Sequence, residues 1–168
     1  LKNKTLLIIF TVIGGAAGFV YVFLPSKYYA TGSFLITRKV NPQQKEFFTY
    51  EGYYSQQTAL SFTKTVTALI ESEDVFSKAL AKIGLEINKN TLRKISKKIK
   101  VTNPGPQLVT LQVKESSEEQ ALKTWEAISE ATTQTAQETN IEGDPLLGIS
   151  KLSTQPVVKQ QYKPFIPI

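Results

Sequence analysis

Leu108-Val109-Thr110-Leu111-Gln112-Val113-Lys114 alternates without interruption, with Val109, Leu111 and Val113 on one side and Leu108, Thr110, Gln112 and Lys114 on the other. A period of two held over this length marks a β-strand with one buried and one wetted face. Such a strand needs a neighbour to satisfy its backbone. The nearest is 99–102, joined to it by the turn-forming run Asn103-Pro104-Gly105-Pro106. Downstream, Ser116-Ser117-Glu118-Glu119 fits the S-x-x-E capping box, and the period then changes to that of a helix. Ala121, Leu122, Trp125, Ile128 and Ala131 or Thr132 fall inward on a helix predicted to run to about Thr139.

Upstream, 28–38 is rich in aromatic and β-branched residues and reads as a strand that Asn41-Pro42 ends. Residues 43–54 read as a loop dense in aromatics. From 55 to 70 the stripe Ala59, Phe62, Val66, Leu69 and Ile70 predicts a helix. A second helix follows, with Ser72 as its cap, Glu73 and Asp74 in its first turn, and Gly84 at its stop. A short third one is predicted over 91–97, capped by Asn90. After Gly143-Asp144-Pro145, residues 152–161 resemble a last strand, broken by Pro156, so an edge strand or extended connection. The order predicts an α+β fold: a small mixed or antiparallel sheet packed on helices, preceded by a transmembrane helix.

That helix rests on residues 5–26, which carry no charge and lie between Lys2 and Lys4 on one side and Lys27 on the other. About 20 apolar residues in a helix span roughly 30 Å, the thickness of a bilayer's hydrocarbon core. A cleaved signal peptide is the alternative, since Ala16-Ala17-Gly18 offers a cleavage site. The apolar run continues through 19–24, however, and cleavage there would leave a greasy N-terminus. Lys2 and Lys4 favour a cytoplasmic N-terminus, which places the remainder outside the cytoplasm. Tyr21, Phe23, Tyr28 and Tyr29 sit where an aromatic belt would, and Pro25 can end the helix. Gly14 and Gly18 form a G-x-x-x-G pair suited to close helix approach.

The 168-residue chain contains neither Cys, His nor Met and has a formal net charge of +6. Without histidine, imidazole catalysis, the usual nucleophilic triads and most zinc sites are excluded. No phosphate-binding G-x-x-x-x-G-K-[ST] loop occurs. No cofactor, metal or nucleic-acid partner is expected. Charge is uneven: 88–100 holds Lys89, Arg93, Lys94, Lys97, Lys98 and Lys100 with no acid, while 115–144 holds eight acids against Lys123 alone.

The apolar span ending in proline, the strand Tyr28-Tyr29-Ala30-Thr31-Gly32-Ser33-Phe34-Leu35-Ile36, the strand Leu108-Val109-Thr110-Leu111-Gln112-Val113 and the helix containing Ala121 occur in an order that resembles the chain-length determinant domain of polysaccharide co-polymerases (the Wzz-type family) and the related membrane modulators of bacterial tyrosine kinases. The tail Tyr162-Lys163-Pro164-Phe165-Ile166-Pro167 matches as well, with Pro164 and Pro167 in the P-x-x-P spacing that this family places before its second span. The family's long helical arm is missing, so a compact member is implied. The resemblance implies three segments: 1–26, a transmembrane helix with a short cytoplasmic flank; 27–163, an extracytoplasmic α+β domain; and 164–168, the lead-in to a second transmembrane helix. It also implies a non-enzymatic bacterial inner-membrane protein that forms rings of identical subunits and sets the chain length of an O-antigen, capsule or exopolysaccharide. Its partners would be itself, membrane lipid, a polysaccharide polymerase or lipid-linked glycan and, in the modulator branch, a cytoplasmic tyrosine kinase. A single-span scaffold of a secretion or pilus machine is the other reading.

Three groups of residues are candidate contacts. The basic run Lys89, Arg93, Lys94, Lys97, Lys98 and Lys100 suits an anionic glycan, a lipid-linked pyrophosphate, acidic lipid heads or the acidic helix of a neighbouring subunit; it also suits a solvated helix face over Leu92, Ile95 and Ile99. Phe47, Phe48, Tyr50, Tyr53 and Tyr54 suit stacking on sugar rings, the bilayer interface or a subunit contact, or simple packing under the helices. Glu51, Glu71, Glu73 and Asp74 are the carboxylates that a glycosidase would have to pair across a sugar, but nothing in their spacing favours it.

Overall fold

The computed structural model describes residues 2–23, 26–38, 50–142, 144, 146–152 and 155–161, with side-chain surroundings described for 4–16, 26–38, 52–140, 144, 146–152 and 155–161. Helix α1 spans Lys2–Phe23 and is described by itself. Its described side chains from Leu6 to Ile13 are exposed on every face. Thr11 donates its hydroxyl to the carbonyl of Leu7 one turn earlier, at 2.9 Å. Among the described residues no helix is long and apolar enough to cross a membrane; the described side chains of α1 end at position 16.

Lys27–Gln161 forms a compact unit. Its elements are β1 (Lys27–Arg38), α2 (Tyr50–Ile70), α3 (Glu73–Lys82), α4 (Lys89–Ser96), β2 (Ile99–Gly105), β3 (Leu108–Glu115), α5 (Glu118–Glu142), β4 (Leu147–Lys151) and β5 (Val157–Gln161). The fold is α+β, and its five-stranded sheet has the order β2-β3-β1-β4, with β5 also paired to β1. Every pairing is antiparallel.

Alternation decides which face is buried. Ala30, Phe34 and Ile36 of β1 and Val109, Leu111 and Val113 of β3 lie in the core, where they meet Phe62, Val66 and Ile70 of α2 and Ala121, Trp125 and Ile128 of α5. Each fully buried aliphatic or aromatic side chain stabilises by about 1.5–3 kcal/mol. Helix α3 adds Val75, Phe76, Ala79 and Leu80 against α5. Its C-terminus is closed by a Schellman pair, in which Leu85 N–H donates to Leu80 C=O at 3.0 Å and Gly84 N–H to Ala81 C=O at 3.1 Å. Gly84 has φ +76°, a left-handed conformation that costs glycine little.

Several boundaries differ from those read in the sequence. Helix α2 begins at Tyr50, so part of the expected aromatic loop is helical. The cap of α4 is Asn88, not Asn90: its side chain accepts from the N–H of Asn90 and Thr91, and the Thr91 hydroxyl takes the Asn88 N–H in return. The cap of α5 is Ser117, whose Oγ accepts from Gln120 N at 3.3 Å, one residue later than an S-x-x-E reading of Ser116 and Glu119. Asn103 and Pro104 belong to β2, which continues to Gly105 through a register irregularity after Thr102. An edge strand with a bulge is where a proline's missing N–H does no harm.

The largest difference concerns the last strand. One strand was expected over 152–161, but there are two, and both lie on the same edge of β1. Lys151 pairs with Phe34 and Val157 with Thr31, so pairing along this edge of β1 stops at Lys151 and resumes at Val157. Just past the end of β4, Leu152 N–H donates to Ser33 C=O at 2.9 Å. Pro156, immediately before β5, is buried.

Candidate functional site

The helices cover one face of the sheet, and the residues of the other face are half-exposed or exposed. By register this second face carries Lys27, Tyr29, Thr31, Ser33, Leu35 and Thr37 from β1, Leu108, Thr110, Gln112 and Lys114 from β3, and Lys100 and Thr102 from β2. The outer edge adds Ser150, Val157, Lys159 and Gln161. The face thus presents hydroxyls, amides and ammonium groups, and among the described strand residues it has no carboxylate. Ser33 and Thr110 share a hydrogen bond at 2.8 Å, Gln112 Nε2 donates to Thr31 Oγ1 at 3.2 Å, and Tyr29 OH donates to Gln161 Oε1 at 2.9 Å. The Lys114 ammonium sits 5.4 Å from the centre of the Tyr29 ring.

Where the outer strand breaks, this face opens into a recess of about 480 Å³ lined by Thr31, Gly32, Ser33, Gln112, Leu152, Val157 and Lys159. Two hydroxyls and an amide come from the sheet, an ammonium comes from the outer strand, and the exposed apolar side chains of Leu152 and Val157 form the rim. Gly32 contributes to the lining without a side chain of its own, and the Trp125 indole lies against it from the other side of the sheet. Sequence reading missed the recess. The polar set of β3 was visible as alternation, but the pairing of β4 and β5 to one edge of β1 was not.

The basic run divides into three parts. Lys98 donates to both carboxylate oxygens of the buried Glu115 at 2.9 Å each, an internal pair. Arg93, Lys94 and Lys97 are exposed on α4, where with Asn90 they line a shallow depression of about 290 Å³, while Ile95 anchors the helix from beneath. Lys89 is exposed at the helix start, and Lys100 lies on the open sheet face, opposite Gln112. Two acids of α5 are met within the chain: Lys78 donates to Glu138 at 2.9 Å, and Lys82 donates to Glu130. These bonds hold the Glu138 and Glu130 carboxyls below their ordinary range and raise the Lys78 ammonium above its own.

Of the aromatic group, Tyr53 and Tyr54 are exposed on the first turns of α2, and Tyr54 receives the Arg38 guanidinium 5.5 Å from its ring centre. Tyr50 is helical, with side-chain surroundings outside the described residues, and Phe47 and Phe48 lie outside them altogether, as do Pro164 and Pro167. The face of α1 at Gly14 is open, and nothing stands within 4 Å of a β-carbon placed there; Gly18 falls beyond the described side chains. Glu71, Glu73 and Asp74 are exposed, and Asp74 pairs with Lys78 at 3.5 Å. Asp144 accepts from Arg38 Nε at 2.7 Å, which holds its carboxyl below the usual range, with help from the Leu146 N–H. The carboxyls perturbed in this way are stabilised as anions, the opposite of what a general acid needs. Among the described residues no group of three acidic side chains could hold a metal ion.

The arrangement can bind a polar anionic ligand through hydroxyl, amide and ammonium groups. A scan against protein-family models and a search of curated proteins each find no match to this chain.

Proposed function

We propose that this chain is a non-enzymatic membrane regulator that, as a homo-oligomer, sets the length of a polysaccharide made by a partner polymerase. The observation that carries this is the pairing of Lys27 with Gln161. Both ends of the compact unit leave from adjacent strands at one end of the sheet. Positions 27 and 161 therefore lie about one strand spacing apart, roughly 5 Å. Neighbouring ends of this kind suit a domain held on a membrane by two spans.

α1 supports the first span. It is helical over Lys2–Phe23, and residues 5–26 are uncharged. Leu6, Leu7, Ile8, Ile9, Phe10, Val12 and Ile13 are each at least half exposed. A stretch that is apolar all round and exposed, as 6–13 is, suits lipid better than water. The internal bond of Thr11 removes a polar group that lipid could not satisfy. On this reading the residues that follow the span lie outside the cytoplasm. The partner set is the one the family resemblance implies: further copies, lipid, a polymerase or lipid-linked glycan and, in one branch, a cytoplasmic kinase.

The test uses the lack of cysteine. Lys4→Cys and Glu73→Cys are made separately in the full chain, and a membrane-impermeant maleimide is applied to intact cells with a permeable outer layer. Labelling at position 73 in intact cells and at position 4 only after lysis is expected, together with an altered glycan length distribution when the chain is removed. Labelling of neither position before lysis, or an unaltered glycan with a defect in secretion or pili, overturns the proposal.

A further inference from the structure

We propose that the recess at the break between β4 and β5 binds one acidic sugar residue of a polyanionic glycan, with the Lys159 ammonium taking its carboxylate. This rests on the polysaccharide reading above and names the class of glycan. The volume of about 480 Å³ falls within the range of small-molecule sites and accommodates a single sugar ring. Thr31, Ser33 and Gln112 offer hydroxyl and amide groups that both donate and accept, as a ring of sugar hydroxyls requires. Ser33 shares its bond with Thr110, and Gln112 donates to Thr31, so these groups are held in place and keep lone pairs or hydrogens free. Leu152 and Val157 supply an apolar rim for the C–H face of the ring.

Charge selects an acidic sugar over a neutral one. Lys159 forms no ion pair among the described residues, and no described strand residue on this face is acidic. Register places Lys114 and Lys159 on either side of Tyr29, two strand spacings apart, or about 10 Å. That spacing is close to the length of a disaccharide, so a carboxylate on a following unit can meet Lys114 over the Tyr29 ring. A polyanion lying across the sheet thus meets a hydroxyl-lined seat with an ammonium at each side. The exposed cations of α4 offer charge alone, with a shallower depression and no sheet hydroxyls.

The test is titration calorimetry on the full chain in detergent micelles, with a short oligogalacturonate and a neutral malto-oligosaccharide of equal length. Saturable binding of the oligogalacturonate is expected, weakening with salt and at least about tenfold weaker in Lys159→Gln, as a charge-assisted bond predicts. Gln112→Ala weakens it as well, whereas a combined Arg93→Gln, Lys94→Gln and Lys97→Gln variant leaves it unchanged. Absence of saturable binding, equal binding of the neutral glycan, or loss confined to the α4 variant overturns the inference. Glycan length in cells lacking the chain tests the regulator reading separately. If length changes on removal but not in Lys159→Gln, and the calorimetry shows no binding, the seat alone is refuted.

Discussion

A β-carbon on Gly32 would stand 2.9 Å from Cε2 and 3.0 Å from Cη2 of the Trp125 indole, and closer still to Cζ2. Trp125 is fully buried, its Nε1–H donates to Leu111 C=O at 3.1 Å, and its ring is nearly parallel to that of Phe34 at a centroid distance of 6.1 Å. Leu111 is the cross-strand partner of Gly32. The indole is thus fixed at three points over the middle of the sheet, and only a residue without a side chain fits beneath it.

Gly32→Ala should therefore destabilise the fold by about 2–3 kcal/mol, at the upper end of overpacking costs because a rigid, hydrogen-bonded ring cannot swing aside. Gly32→Ala in a Trp125→Phe background should cost clearly less than in the native chain. Denaturant unfolding of the four members of this cycle measures the coupling. Additive costs would show that the ring yields freely.

Much of the architecture was legible in local pattern. The alternation 108–114 is β3, the helical stripe from Ala59 to Ile70 lies in α2, and Ser72 caps α3, accepting from Val75 N at 3.3 Å. These features depend on residues close in sequence. What the pattern missed depends on partners far away. Leu147–Lys151 is too short to announce itself and is a strand because the edge of β1 at 34–38 accepts it. The glycine under Trp125 reads as an ordinary weak spot in a strand until the helix is laid on it. The candidate recess was illegible for the same reason: Thr31 and Gln112 sit on two alternating strands, but Lys159 joins them only through the long-range pairing of β5 with β1. The basic run was visible as charge, yet its division, with Lys98 drawn to Glu115, was not.

Asn88 and Asn90 separate two readings of one helix start. Asn88 satisfies the orphan N–H groups of Asn90 and Thr91 at 3.0 and 2.9 Å. Asn88→Ala should cost about 1 kcal/mol, the usual value of an N-cap. Asn90→Ala, at an exposed helical position, should change stability by less than about 0.5 kcal/mol. Thermal unfolding of the two variants distinguishes them, and equal losses would place the cap elsewhere.

The Arg38–Asp144 pair sets part of the acid sensitivity. Arg38 also donates to Ser55 Oγ at 3.1 Å, so it ties the end of β1 to α2 and to the turn before β4. The Asp144 carboxyl is depressed below its ordinary value of 3.8 by the Arg38 hydrogen bond. A depressed folded value means that the pair's stabilisation is complete above the ordinary value and is lost as pH falls through the depressed one. Glu130 and Glu138 act in the same direction. Asp144→Asn should lower stability at neutral pH by about 1 kcal/mol, since water reaches and screens the pair. It should also flatten the fall in melting temperature below the carboxylate range. An acid limb identical to that of the native chain would show that Asp144 contributes nothing.

Ser129 is fully buried on α5, and its hydroxyl has no hydrogen-bond partner among the described residues. Ser129→Ala removes that unsatisfied group and raises helix propensity. A gain of about 0.5–1.5 kcal/mol is expected in denaturant unfolding, and a loss would reveal a partner for the hydroxyl.

The pairing of Lys27 with Gln161 is open to a direct chemical test. Antiparallel partners have Cα atoms about 4.5–5.5 Å apart, within the range that a disulfide spans. The chain contains no other cysteine, so Lys27→Cys with Gln161→Cys can form only this bridge inside one molecule. Mild oxidation of the full chain in membranes should give a monomer that runs faster on a non-reducing gel, and reduction should reverse the shift. Tyr29→Cys with Gln161→Cys, two positions out of register, should oxidise far less. The bridge closes nearly the whole compact unit into one loop, for which chain entropy predicts a gain of several kcal/mol, about 4–5 at this length. If the bridge forms and glycan length control persists, the two ends stay together during function. If it forms and length control is lost, the ends must separate. If neither pair oxidises, β1 and β5 are not partners in the membrane-bound chain, and the two-span geometry falls with them.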